Sequence, residues 1–195
     1  KKIDLISKIF LADRKGNTIT LERNQDSWIV NQKYIARKDA IEILLSTINQ
    51  VEVQRTVSNA QFNNVVKNLA TTGVKIEIYT TKKSPEKVYT IGGSTQNHLG
   101  TFMLVDGSEE PFITHIPGFN GFLSPRYGIQ ANELNVNTWR ETKVFALRAK
   151  DISRISIEHL KDTSNSFTLL IKSYNLDSSI LLLDNQQQSV DYNRQ

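Results

Sequence analysis

A short pattern occurs twice, once near each end of the chain. Ile6, Ser7, Lys8, Ile9 and Leu11 spell Ile-Ser-basic-Ile-x-apolar, and Ile152, Ser153, Arg154, Ile155 and Ile157 spell it again. A second alternating run follows in each copy, residues 18–21 in the first and 166–169 in the second. Alternation at period two places apolar side chains on one face of a strand. Two such runs in the same order at both ends predict a duplicated β-hairpin unit. The competing reading is two unrelated amphipathic hairpins, because short apolar patterns recur easily.

The rest of the chain is read outward from that pattern. Residues 6–13 predict a strand with Ile9 and Leu11 on one face and Phe10 on the other. Arg14, Lys15, Gly16 and Asn17 supply a turn, residues 18–22 run back, and residues 27–30, carrying Trp28, add a third short strand. Residues 37–50 predict a helix, since Ile41, Leu44, Leu45 and Ile48 form one apolar stripe. Residues 51–57 predict a short strand or extended link. Ser58 and Gln61 match a capping box that opens a second helix, striped by Phe62, Val65, Val66 and Leu69 and closed by Gly73 as its cap.

Residues 74–80, 87–91, 99–105 and 111–116 predict a block of antiparallel strands, with Gly92, Gly93, Ser94 and Thr95 as a loop between two of them. Residues 117–138 are irregular, and 144–147 predict a further strand. In the second copy residues 180–183 take the place of the third strand. Residues 189–192 are then expected to start a counterpart of the first helix, a frayed polar tail being the alternative. The fold expected is α+β: a mostly antiparallel sheet of β-hairpin and meander units, with two helices packed on it. Residues 1–150 form one α+β repeat unit, and residues 151–195 begin a second, incomplete one.

Composition narrows the function classes. A chain of 195 residues can bury a real core as one large domain or two small ones. The absence of cysteine removes disulfides, thiolate catalysis and thiolate metal sites. The pI near 9.2 is basic, but the formal excess is only +4 and both signs are interspersed, as in residues 33–42. Nucleic-acid binding asks for a one-sided basic stripe with interleaved aromatics, so no nucleic-acid partner is expected. Apolar runs stay as short as residues 180–183, far below a bilayer span. The chain opens KKIDLISKIF, without Met, and a preceding anchor or signal is expected to have been removed.

Motifs for chemistry are weak. The glycines at 92 and 93 lie between strands rather than opening a helix, so they do not make a phosphate loop. His98, His115 and His159 are far apart, with no HExxH, so no metal site and no cofactor are expected. No Gly-x-Ser-x-Gly is present. An enzyme assembled from distant segments would take His115 and Asp106 as first suspects, but a non-enzyme is the expectation. The candidate site is the loop of residues 115–128, HIPGFNGFLSPRYG, where Phe119, Phe122, Arg126 and Tyr127 would bind a glycan or peptide. The competing reading has Phe119, Phe122 and Tyr127 folded inward as a plug for the sheet. Trp28 and Trp139 are expected in the core.

Several of these stretches carry a resemblance. ISKIFLADRKGNTITLERNQDSWIVN, KDAIEILLSTINQVEV, GVKIEIYT with KVYTIGG, and TWRETKVFAL followed by DISRISIEHL resemble a family of envelope proteins. Members carry a repeated domain of unknown function behind an N-terminal membrane anchor in gram-negative bacteria. Some sit beside auxiliary subunits of gliding-motility-type ABC transporters. The similarity covers most of residues 6–170, with Gly16, Trp28, Trp139 and Arg140 among its marks. It implies a periplasmic or envelope-facing location, protein partners in the envelope, and a non-catalytic accessory or scaffold role linked to a transporter. It implies no active-site residues, and membrane contact only through the expected anchor.

Overall fold

The computed structural model describes residues 3–171 and 180–191. The protein is α+β, and the chain divides into two compact units, Lys1–Thr142 and Lys143–Gln195, ahead of the expected boundary at 150.

The first unit opens with the meander read from the sequence: β1 (Lys8–Ala12), β2 (Thr18–Asn24) and β3 (Ser27–Val30), followed by a two-residue β4 (Tyr34–Ile35). Helix α1 (Lys38–Gln50), strand β5 (Glu52–Thr56) and helix α2 (Asn59–Thr72) come next. The expected block of strands is β6 (Val74–Tyr79), β7 (Lys87–Ser94), β8 (Thr101–Val105) and β9 (Phe112–His115). All nine strands join one antiparallel sheet in the order β4-β3-β2-β1-β6-β7-β8-β9-β5. The centre of that sheet is the pairing of β1 with β6, Ile9 opposite Ile78 and Leu11 opposite Ile76. Strand β5 crosses to the far edge and pairs with β9. Its five residues are all exposed, and its polar sequence and a bulge between Val53 and Arg55 suit an edge.

The two helices take opposite faces. One face of the sheet presents Ile9, Leu11, Ile19, Leu21, Trp28, Val30, Ile76 and Ile91, and the α1 stripe of Ile41, Leu44 and Ile48 packs into the same core. On the other face Val65 and Leu69 of α2 pack with Val57, Ile113, Phe102 and Leu104. Alternation along β8 therefore feeds both cores, Met103 and Val105 one and Phe102 and Leu104 the other, which is why this strand is apolar at consecutive positions.

Four local expectations change. The capping box is not made: Ser58 shows no side-chain bond to the helix backbone and instead lies 3.4 Å from the Gln61 side chain. Gly73 ends α2 with φ −68°, not in the left-handed region. Its role is close approach, since a Cβ there would lie 2.3 Å from the Leu69 carbonyl oxygen. Gly92 and Gly93 belong to β7 rather than to a loop, and a Cβ on Gly92 would meet Leu69 of α2 at 2.8 Å. Residues 144–147, expected as a strand, form none, and Val144, Phe145 and Leu147 are exposed.

The second unit is a separate antiparallel meander, β12 (Arg154–Ile157), β13 (Phe167–Ile171), β14 (Ile180–Leu183) and β15 (Ser189–Val190), after β10 (Ile129–Gln130) and β11 (Glu133–Leu134) at the end of the first. Ser189 and Val190 thus lie in a strand, where a helix start was expected; Tyr192 lies outside the described residues. The two meanders share a register. The row Ile9–Leu21–Val30 in the first corresponds to Ile155–Leu169–Leu182 in the second, and Leu11–Ile19 to Ile157–Phe167. The backbone agrees: the Arg23 N–H donates to the Ser7 carbonyl, and the Ile171 N–H to that of Ser153. The connections differ, a five-residue turn at 13–17 against a longer one at 158–166 that contains a 3-10 turn, Thr163–Asn165.

Candidate functional site

The loop at 115–128 lies against the α1 face of the sheet, fastened at several points. The Leu123 N–H donates to Thr101 Oγ1 at 2.6 Å, Ser124 Oγ donates to the Gly92 carbonyl at 2.9 Å, and Arg126 Nε donates to Thr47 Oγ1 of α1 at 2.7 Å. Tyr127 is fully buried, its hydroxyl 3.1 Å from that of Tyr89 and the two rings edge to face at 6.1 Å. Burial pushes Tyr127 up to about 12 and Tyr89 well above the ordinary phenol value, so both are neutral hydrogen-bonding groups. Phe119, Phe122 and Arg126 are half-buried; Arg126 stacks 5.0 Å over the Phe119 ring, and Phe122 tilts against His98. The four candidate residues therefore share one loop but not one role. Tyr127 is core, and Phe119 with Arg126 forms a half-exposed stacked pair above it.

Beyond the loop, Gly128 takes φ +69° with its α-carbon pressed to Trp139, where a Cβ would come within 2.6 Å of the indole. Trp139 sits in the core, as does Trp28, and ends the short helix α3 (Val136–Trp139). The first hairpin turn clamps this segment from outside. Asp13, 7% exposed, accepts from the Lys15 and Asn17 N–H groups, from the Asn17 side-chain amide and, across the unit, from the Leu134 N–H. Lys15 and Glu133 form an ion pair beside it.

The enzyme suspects are not brought together. Asp106 lies in the turn between β8 and β9, while His115 ends β9 next to the start of β8. They sit at opposite ends of one hairpin, roughly 15 Å of strand apart. His98 bonds to Ser94, and His159 is exposed in the second unit. No group of three or more His, Asp or Glu among the described residues is arranged to hold a metal ion.

The first unit carries several concave surfaces, among them an enclosed one and a wide open one. The enclosed one, between the end of α1, β5 and β7–β9, holds about 100 Å³ and is lined by Ile48, Tyr89, Met103 and Phe112. That is below the size of a small-molecule pocket. The open one, about 840 Å³, gathers Lys8, Lys33, Lys82 and Lys83 around Glu22 on the face that α1 does not cover, with Arg23 at its edge. Lys8 lies 3.8 Å over the Tyr79 ring, and Arg23 is held by the Ile6 carbonyl and the Trp28 face. Beside it Glu77 is held below the ordinary carboxylate range by hydrogen bonds from Lys75 and Tyr79. Sequence reading missed this basin because its cations come from four separate segments, which the meander and the β1–β6 pairing gather together.

A partly exposed apolar surface lies in the second unit. Register puts Ile155, Ile157, Phe167, Leu169, Ile171, Leu182 and Val190 on one face of its sheet. None of these seven is buried, whereas Thr168 and Leu183, on the reverse face, are. The corresponding residues Ile9, Leu11, Ile19, Leu21 and Val30 of the first unit are at most 2% exposed. Ile155, Ile157 and Val190 are exposed, and the other four are half-buried. No protein-family model, no curated protein and no solved structure matches the chain.

Proposed function

We propose that the protein is a non-catalytic accessory or scaffold module of the cell envelope, which works by docking a protein partner on its second unit. The observation that carries this reading is the seven-residue apolar face of that unit, open where its counterpart in the first unit is sealed. Burying even half of such a face would contribute several kcal/mol to binding, at about 1.5–3 kcal/mol for each large side chain. The shared register and the repeated Ile-Ser-basic-Ile lead support the second unit as a repeat of the first meander. The setting comes from the family resemblance: envelope-facing, periplasmic and membrane-anchored, beside a transporter.

A second reading, glycan or peptide binding by the 115–128 loop, is supported by the half-exposed Phe119, Phe122 and Arg126. Affinity purification of the tagged protein from its own cells separates the two. Leu169→Asp with Leu182→Asp should lose the envelope proteins that the parent recovers, while Phe119→Ala with Arg126→Ala should keep them. Retention of every partner by the first variant overturns the docking reading.

A further inference from the structure

We infer that the open basin of the first unit docks an acidic segment of a partner protein, whose carboxylates meet Lys8, Lys33, Lys82 and Lys83 and whose one basic side chain meets Glu22. This surface is distinct from the apolar face of the second unit, and the inference stands without the docking reading of that face. The floor of the basin is a row of side chains set by strand register: Tyr79 opposite Lys8, Lys8 opposite Glu22, and Glu22 opposite Ile29. All four are half-buried. Helix α2 covers this face of the sheet only farther along, at Phe102, Leu104 and Ile113. The N-terminal turn, Ile3–Leu5, lies on the opposite side, where Ile3 and Ile6 join the α1 core. Lys33 in the β3–β4 turn, and Lys82 and Lys83 in the β6–β7 turn, are exposed at the rim.

These charges are not paired within the described residues. Lys8, Lys33, Lys82 and Lys83 enter no ion pair among them. The neighbouring acids are engaged elsewhere, Glu77 with Lys75 and Tyr79, and Glu86 with the Thr80 hydroxyl. Glu22 is not. Its cross-strand neighbour Lys8 lies instead 3.8 Å over the Tyr79 ring, and the Glu22 carboxylate has no ion-pair or hydrogen-bond partner among the described residues. Four ammonium groups around one carboxylate attract an acidic chain. The central carboxylate and Ile29 beside it then favour a peptide over a uniform polyanion. A run of phosphates would bring like charge onto Glu22, whereas a peptide can place Lys or Arg there and an apolar side chain on Ile29. Base stacking lacks a free platform, since Tyr79 already carries Lys8, and Tyr34 carries Lys33 and Arg140. The row crosses three strand spacings, about 14 Å, the reach of about four or five extended residues.

The test uses the whole chain, isotope-labelled, and two peptides of equal length, one of Glu and Asp with a central Lys–Leu pair and one wholly acidic. At low salt the Lys–Leu peptide should give saturable amide shifts at Lys8, Glu22, Ile29 and Lys82, and binding should weaken about tenfold or more in about 0.5 M salt. Lys82→Glu with Lys83→Glu, both in an exposed turn, should weaken it at least about tenfold. Glu22→Gln should weaken the Lys–Leu peptide about two- to fivefold and strengthen the wholly acidic one. Absence of saturable shifts in the basin with either peptide overturns the inference. Tighter binding of both peptides by Glu22→Gln also overturns it, because Glu22 then only repels. Binding of a single-stranded oligonucleotide or of phosphatidylglycerol vesicles through the basin, with no peptide binding, overturns it by assigning the surface to a nucleic acid or a lipid surface.

Discussion

Replacing Asp13 with Ala tests how the first unit is closed. Its carboxylate satisfies four donors, but they are not equal. The Lys15 and Asn17 backbone groups lie in an exposed turn, so water replaces the carboxylate there at little cost. The Leu134 N–H belongs to a buried residue and would be left without an acceptor, at a cost of about 1–3 kcal/mol. Loss of the charge-assisted bonds within the turn adds roughly another 1 kcal/mol. Asp13→Ala should therefore destabilise the first unit by about 2–4 kcal/mol, a fall in Tm of the order of 5–12 °C for a unit of this size. Urea unfolding followed by Trp28 and Trp139 fluorescence reads this directly. Asp13→Asn keeps one carbonyl acceptor and should lose roughly half as much. A change below about 0.5 kcal/mol for Asp13→Ala would refute the view that this turn clamps the 133–134 segment.

Acid should act on the same group. Burial raises the Asp13 carboxyl, but its hydrogen bonds, led by the Asn17 side chain, outweigh that, and its pKa lies below the ordinary value. The stabilisation is thus complete above the unfolded carboxyl pKa near 3.9 and is lost as pH falls through the folded value; Asp13→Ala should flatten that part of the stability–pH curve. Gly128→Ala should cost about 3 kcal/mol or more, because φ +69° and the Trp139 ring both oppose a Cβ, and thermal unfolding measures it. Trp139→Phe should cost less than a typical core truncation, since the indole N–H has no acceptor among the described residues and its removal relieves a buried orphan donor. A double-mutant cycle of Tyr89→Phe and Tyr127→Phe should show coupling of about 1 kcal/mol through their shared hydrogen bond.

What could be read from sequence divides along physical lines. The meander was legible because Ile9 and Leu11, Ile19 and Leu21, and Trp28 and Val30 recur at every second position, and turn residues separate the three runs. Both helices were legible from their stripes. Sheet order was not, because β6 finds β1 across two helices and β5 leaves its neighbours for the far edge on β9. The glycine pair misled for a related reason: Gly92 is small to admit Leu69 of α2, a long-range demand that looks locally like a turn. Tyr127 could be read as a contact residue or a plug, and it is buried in the α1-side core, where its hydroxyl meets that of Tyr89, 38 residues away. The apolar face of the second unit was half legible. The repeated Ile-Ser-basic-Ile lead marked the strands, but their exposure became visible only beside the sealed face of the first unit.

The most direct test of the docking reading is site-specific photocrosslinking in the native cells, with a photoreactive residue placed at Leu182 on the apolar face and, as control, at the exposed Ser156 on the reverse face. One defined envelope protein crosslinked from 182 and not from 156 is the expected result. Equal crosslinking from both positions, or none from 182 while the protein is intact, would contradict it.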